Sequence, residues 1–237
     1  MLYSAIQASS SAVQAASTFL DVISNNVSNA DTPGYKTGQV TFQDVLYTGL
    51  RPGAVTNAGT TSPAGTQLGN GVQVDTISGL FTQGGLTTGT GTFDLAIQGN
   101  GFFRVQLPDG STGYTRAGNF TLDNTRTLVS PDGYRLEGGI QVPAGTSGIQ
   151  VNPDGTVFAN VGGTQRRVGQ LQLSSFVNPG GLVRVGNNTF TATAGAGAPN
   201  TGAPNTGGRG SVTVGNLEQS NVDLAGELVN LIIAQQT

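Results

Sequence analysis

The chain of 237 residues contains no cysteine, no histidine and no tryptophan. Disulfide bonds and metal sites built from thiolate or imidazole ligands are therefore excluded, as are hydrolases whose nucleophile depends on a histidine. A glycosidase with paired carboxylates remains as the enzymatic alternative, but no pattern in the sequence pairs two of the 13 carboxylates. We therefore expect no catalytic residue, no cofactor-binding residue, no metal and no cofactor.

Charge is also scarce, at 10% of the residues and a net charge of −3. The ten basic residues are scattered singly apart from Arg166-Arg167, which we interpret as a solvated edge. Without a basic stripe to neutralise phosphates, nucleic acid is not an expected partner.

The apolar run Leu228–Ala234 is far shorter than the roughly 20 residues of a membrane helix, so we expect no direct membrane insertion. The N-terminal residues do not resemble a cleaved signal peptide.

Glycine is abundant, with 38 residues, and it lies with threonine and asparagine between short apolar runs. This composition favours short strands and tight turns over long helices. Pro-Asp-Gly recurs at Pro108, Pro131 and Pro153, each time between β-forming residues, which predicts successive β-hairpins. The predicted fold class is mainly β with a helix at each end of the chain.

Residues 2–27 carry small or apolar side chains at alternating steps of four and three, with almost no charge between them. This spacing predicts an amphipathic helix with a heptad seam. Uncharged flanks favour a helix that is surrounded by protein. Asparagines and Thr32-Pro33 should end the helix near Asn29. The seam positions are Leu2, Ile6, Ser9, Val13, Ala16, Leu20, Ile23 and Val27, of which only Ser9 is polar.

The C-terminal segment repeats the same spacing. Ser220 or Asn221 is predicted to cap a final helix. The apolar positions of that helix are Leu224, Leu228 and Leu231. Seams at both ends of the chain indicate either helices that pack on their own β domain or helices that pair with other copies, and the pattern leaves both open.

The pattern also predicts a division of the chain. Residues 1–35 and 216–237 form a helical core domain, 36–71 an extended arm or linker, and 72–215 a β domain. Within the β domain, the pentamer Gly-Ala-Pro-Asn-Thr occurs twice between 194 and 210. We predict that this segment is a mobile surface loop that buries no apolar area.

The stretch SNNVSNADTPGYK, at Ser24–Lys36, resembles the signature of the bacterial flagellar rod and hook proteins, which form the axial structure of the flagellum. Other stretches resemble this family in the family's own order. The segment at Phe42–Ala54 resembles one that is characteristic of distal rod subunits. The β-domain motifs are matched at Asp94–Val105 and Tyr114–Phe120, and the start of the C-terminal helix is matched at Ser220–Ile232.

The resemblance implies a non-enzymatic structural subunit of the distal rod. In this family the terminal helices pair into a coiled-coil core of a hollow tube, with the β domain outside. The implied partners are copies of the chain in a helical homopolymer, other rod and hook proteins, and the flagellar type III export apparatus. The implied location is the basal body in the periplasmic space, reached without a cleaved signal peptide. Family members continue past the position of Thr237, so we expect a shortened C-terminal helix.

The resemblance also assigns roles to residues. The helix seams are the expected assembly interface. The expected signature loop consists of Asn25, Asn26, Asn29, Pro33, Gly34, Tyr35 and Lys36. A stiffening arm that packs against neighbouring subunits is expected at Tyr47, Leu50, Arg51, Pro52 and Gly53. The alternatives are a proximal-rod or hook paralogue and, from another class, a secreted β-rich adhesin or phage-tail-like module.

Overall fold

A computed structural model of the protein describes residues 2–51 and 65–236. The fold is mainly β with a helix at each end, as predicted, and no helix in the described ranges has the length and apolarity needed to cross a bilayer. The helices are α1 (Leu2–Ser28) and α2 (Leu224–Gln235). The strands are β1 (Gly38–Asp44), β2 (Thr48–Arg51), β3 (Thr66–Leu68), β4 (Val72–Gly79), β5 (Leu86–Thr88), β6 (Leu95–Gln98), β7 (Phe102–Gln106), β8 (Thr112–Thr115), β9 (Thr121–Leu122), β10 (Leu128–Val129), β11 (Arg135–Leu136), β12 (Thr146–Val151), β13 (Thr156–Val161), β14 (Thr164–Gln170), β15 (Leu173–Ser175), β16 (Val183–Gly186), β17 (Thr189–Thr191), β18 (Asn200–Gly202), β19 (Ser211–Val214) and β20 (Asn216–Glu218).

The described residues form two compact units. The helical unit lies within Met1–Val27, Gly38–Ser78 and Leu224–Thr237, and the β unit comprises Ser28–Thr37 and Gly79–Asp223. The predicted domain boundaries differ from this division. The predicted arm contributes β1, β2 and β3 to the helical unit, whereas the segment after α1 and strand β20 belong to the β unit.

In the helical unit, β1 pairs with β4, and β2 pairs with β3 in an antiparallel hairpin. Gly71 precedes β4 with a φ of +106°, and a Cβ at this position would lie 2.2 Å from the Ser11 Oγ. Only glycine lets the backbone approach α1 this closely.

The β unit is built around a nine-stranded sheet with the order β16-β17-β8-β7-β11-β10-β9, to which β15 is added against β7 and β18 against β15. The three predicted Pro-Asp-Gly hairpins are confirmed: they join β7 to β8, β10 to β11, and β12 to β13, all antiparallel. Consecutive residues are buried in several of these strands, and Phe102 and Phe103 of β7 enter different core clusters. The largest core cluster contains Leu95, Ile97, Phe103, Val105, Phe120, Leu128, Leu136, Ile140, Val157, Leu171 and Leu173.

The segment 194–210 does not behave as predicted. Ala196 has no exposed surface and packs with Phe102 and Phe190 in a second core cluster, and β18 pairs with β15. The guanidinium of Arg209 holds the segment together by donating to the Ala203 carbonyl oxygen at 3.0 Å and to side chains of the same segment. The prediction that this segment buries no apolar area is wrong, because Ala196 enters a core cluster with residues that are distant in the sequence, which composition does not reveal.

The C-terminal helix also begins later than predicted, at Leu224. Asn221 is not available as a cap, since its Oδ1 accepts from the backbone N–H of Thr37 at 2.7 Å. Its Nδ2 donates to the carbonyl oxygen of Leu80 at 2.8 Å. The predicted capping residue therefore joins three segments of the β unit.

Candidate assembly surfaces and signature loop

Helix α1 has two different apolar faces. The predicted seam is exposed in its N-terminal half, where Ile6 and Val13 face solvent and Val13 is 71% exposed. In the C-terminal half, Leu20 and Val27 are half-buried and Ile23 is only 1% exposed. The exposed part of the predicted interface on α1 is therefore confined to its first half, among the side chains that the structure describes.

The second face of α1 packs within the helical unit, and the sequence analysis did not identify it. The Oγ of Ser11 accepts from the backbone N–H of Val72 at 3.3 Å. The ring of Phe19 meets that of Phe42 edge-on, with centroids 6.1 Å apart. The positions that are buried or half-buried on this face are Ala8, Ser11, Ala15, Phe19, Val22 and Asn26. Their spacing is also near-heptad, but small and polar residues among them conceal the pattern.

Asn26 fixes the end of α1. Its Oδ1 accepts from the Gly38 N–H at 2.8 Å and its Nδ2 donates to the Gly38 carbonyl oxygen at 2.9 Å. The same Nδ2 donates to the Glu227 Oε1 on α2 at 2.8 Å. One signature residue, 1% exposed, thus connects α1, β1 and α2.

Helix α2 leaves most of its large apolar side chains uncovered. Only Ala234 is buried, while Glu227 and Leu231 are half-buried. Five side chains are between 45% and 58% exposed: Leu224, Leu228, Val229, Ile232 and Ile233. An apolar surface of this density is typical of a protein–protein interface.

The rest of the signature loop is anchored in the β unit. The Nδ2 of Asn188 donates to the carbonyl oxygen of Pro33 at 2.8 Å, and the Thr32 N–H donates to the carbonyl oxygen of Asn29. Gly34 has a φ of +69°, and a Cβ there would lie 2.5 Å from the backbone of residues 116 and 117. Tyr35 is buried, with the guanidinium of Arg184 5.0 Å from its ring centroid. Asn25, by contrast, is exposed.

Lys36 ends the loop in a buried cluster of charges. Its Nζ lies 2.5 Å from the Glu218 Oε1 and donates to the Thr82 carbonyl oxygen at 2.7 Å. The Arg116 Nη1 lies 3.1 Å from the Glu218 Oε2, and the Gly84 N–H donates to Oε1 at 3.0 Å. Burial lowers the pKa of Lys36, against the attraction of Glu218. Burial likewise lowers the pKa of Arg116.

The cluster therefore contains two cations and one anion, none of which is more than 4% exposed. Such an arrangement is stabilising only while every charge keeps its partner. No group of three potential metal-ligating side chains occurs in residues 2–51 and 65–236. The loop is accordingly a structural anchor, and the apolar helix surfaces are the candidate functional site.

The predicted stiffening arm is only partly described. Leu46 and Tyr47 are exposed, and the Asn70 Nδ2 donates to the Leu46 carbonyl oxygen at 2.6 Å. Leu50 and Arg51 lie in β2. Pro52 and Gly53 lie outside the described residues.

Comparison with known proteins places this architecture among flagellar proteins. Three family models match the chain: "Flagella basal body rod protein" at residues 6–36, "Flagellar hook protein FlgE/F/G D1 domain" at 96–159 and "Flagellar basal body rod FlgEFG protein C-terminal" at 213–237. The chain is similar to the flagellar basal-body rod protein FlgG of Caulobacter vibrioides, with 38% identity over 98% of this chain and 90% of that protein. The FlgG of Bacillus subtilis is 37% identical over 92% of this chain and 85% of its own length.

A hook protein is also similar, over a smaller part. The flagellar hook protein FlgE of Treponema pallidum is 42% identical over 54% of this chain, but the match covers 28% of that protein. The similarity to rod proteins therefore extends further along both chains than the similarity to this hook protein.

The geometry of the charge cluster predicts that loss of its single carboxylate destabilises the protein more than loss of one of its two cations. Glu218→Gln should lower the free energy of unfolding by about 3–5 kcal/mol, because it leaves two buried cations without an anion. Lys36→Met should cost less, about 1 kcal/mol, because Arg116 and Glu218 remain a pair and Asn221 still donates to Thr82. Urea unfolding of both variants measures the difference. Equal losses would show that the cluster does not depend on its single carboxylate.

Proposed function

The chain belongs to the FlgG family of flagellar basal-body rod proteins, and on this premise we propose that it is a structural subunit of the distal rod. Copies of the chain assemble through their terminal helices into a helical tube that transmits torque. The observation that carries this proposal is the uncovered apolar surface of α2 together with the exposed first half of the α1 seam.

Burial of that surface between copies supplies the driving force for assembly. Each large apolar side chain contributes on the order of 1.5–3 kcal/mol when it passes from full exposure to full burial. We propose that the α1 face of one copy contacts the α2 face of the next in a heterologous contact, and a heterologous contact that does not close produces a helical polymer. We assign coiled-coil pairing between these faces as the form of that contact.

The proposed setting follows from the family. Other rod and hook proteins of the flagellar axis are the neighbours at the two ends of the polymer, within the basal body. The periplasmic space is the proposed location, and the flagellar type III export apparatus is the proposed route there. The matches to family models that combine hook and rod proteins support a shared mode of assembly.

A hook paralogue is the nearest alternative. The longer alignments with rod proteins favour the rod, since they cover 85–90% of the relatives in Caulobacter and Bacillus against 28% of the hook protein in Treponema. No contact or surface in the described residues favours an adhesin or a phage-tail-like module.

The proposal predicts that Val13→Asp blocks polymerisation while the monomer remains folded. Val13 is exposed in the single chain, so a carboxylate there costs the monomer little. In the polymer the same carboxylate would be buried without a partner, at several kcal/mol. Sedimentation and electron microscopy measure assembly, and circular dichroism measures folding.

The matched control is Gln14→Asp, which introduces the same charge about 100° around the helix. Gln14 is exposed and lies outside both apolar faces. The control should assemble as the parent does. Polymers of normal length from Val13→Asp would contradict the assignment of the seam to contacts between copies.

We also propose the segment Tyr47–Ala54 as an arm that stiffens the tube against neighbouring subunits. The exposure of Leu46 and Tyr47 beside the paired strands β2 and β3 supports this role, because a neighbouring subunit would bury these side chains. Deletion of residues 47–54 removes β2 and its pairing with β3, so the helical unit should lose some stability while the β unit remains folded. It should produce assemblies that bend more in electron micrographs. Deletion assemblies as straight as the parent would contradict the stiffening role.

A further inference from the structure

The β unit contains a cleft lined by three of the ten basic residues of the chain. Arg126, Arg166 and Arg167 surround a volume of about 460 Å³, together with Gln141 and the backbone near Gly139. We propose that this cleft binds a small ligand with at least two oxyanion groups, either carboxylates or phosphates. Planar guanidinium groups bind both kinds of oxyanion in a bidentate manner.

The three arginines are not neutralised by ion pairs. In the part of the chain that the structure describes, none of them has a carboxylate oxygen within 4.0 Å. Asp123, the carboxylate nearest in sequence to Arg126, faces Arg135 at 3.5 Å and accepts backbone bonds from Thr125 and Thr127. Asp154 interacts electrostatically with Arg167, so the charge of the cleft that is available to an external anion is mainly that of Arg126 and Arg166.

Backbone geometry at Arg126 gives an independent argument. Its φ of +62° lies in the left-handed region, which favours glycine and asparagine. The other positive-φ residues that are not glycine, in the described ranges, are all asparagines: Asn187, Asn188 and Asn205. An arginine at such a position carries a strain that asparagine would lessen, and strain of this kind is concentrated at functional sites.

The surrounding bonds hold Arg126 in this conformation. Its N–H donates to the Asp123 carbonyl oxygen at 3.0 Å, and its own carbonyl oxygen accepts from the Val142 N–H at 2.8 Å. The Gln141 Nε2 donates to the Thr125 carbonyl oxygen at 3.2 Å. These bonds fix the turn against the segment 139–143, which also lines the cleft.

The edge strand β14 supplies the other two arginines. In a regular strand, Arg166 and Arg167 would point to opposite faces of the sheet. Here the pairing with β13 skips Val168, so that Gly169 faces Val157 and Arg167 faces Phe158. The bulge follows the two arginines, which pair in regular register with Ala159 and Phe158, and both are among the residues that line the cleft at this edge of the sheet.

A competing explanation is that the two arginines only protect the edge of the sheet. Charges and bulges on an edge strand prevent pairing with another chain. That explanation predicts aggregation of uncharged variants and no specific anion binding. It gives no reason for the arginine at the strained position in the turn.

The experiment is calorimetric titration of the full chain with citrate and with pyrophosphate at low ionic strength. We expect saturable binding of at least one probe, weakened by added salt. Tighter binding of citrate would indicate a carboxylate ligand, and tighter binding of pyrophosphate would indicate a phosphate ligand. Arg126→Asn should weaken binding by about tenfold and leave the melting temperature equal or higher, because it removes the strain. Arg166→Gln should weaken binding by a similar factor.

The control is Arg209→Gln, which removes one positive charge outside the cleft whose hydrogen bonds go to Ala203, Asn200 and Thr206 and not to a carboxylate. It should change the affinity by less than about twofold. Absence of binding of both probes to the native chain would overturn the proposal, as would an equal loss in the control. So would an Arg166→Gln protein that aggregates but binds the probe with native affinity, or an Arg126→Asn protein that is less stable and binds normally.

Discussion

The carboxylate of Glu218 is the constraint on which the β unit depends. It is fully buried, and it pairs with Lys36 and Arg116, which lie 182 and 102 positions away in the sequence. A buried anion without compensation is too costly to persist, and Arg116 and Lys36 provide that compensation from two distant segments of the chain. The backbone of Glu218 adds to this constraint, since its carbonyl oxygen accepts from the Gly34 N–H at 2.7 Å. The signature loop thus serves folding first.

Helix α1 uses different faces for folding and for the proposed contacts between copies. One face, with Ser11, Phe19 and Asn26, completes the helical unit. The other, with Ile6 and Val13, remains exposed. A helix that used one face for both tasks could not be folded before assembly. Under the proposed function, this division lets a subunit fold alone and still present apolar surface to other copies.

The sequence predicted what depends on local chemistry. The hairpins at Pro108, Pro131 and Pro153 followed from turn residues, and α1 followed from its periodicity. It did not predict what depends on distant partners, such as the bonds of Asn26 to Gly38 and Glu227 or the burial of Ala196. The exposed part of the seam was also not predictable, because heptad spacing does not say which positions the chain itself covers.

The central claim is that the exposed faces of α1 and α2 become buried between copies. The most direct measurement is the rate of thiol labelling at single cysteines, which the chain permits because it has none of its own. Val13→Cys and Leu228→Cys should react quickly in the monomer and become protected on assembly. Val177→Cys, at a β-unit position that is 95% exposed, is the reference. Equal labelling of Val13→Cys and Leu228→Cys before and after assembly would contradict the account.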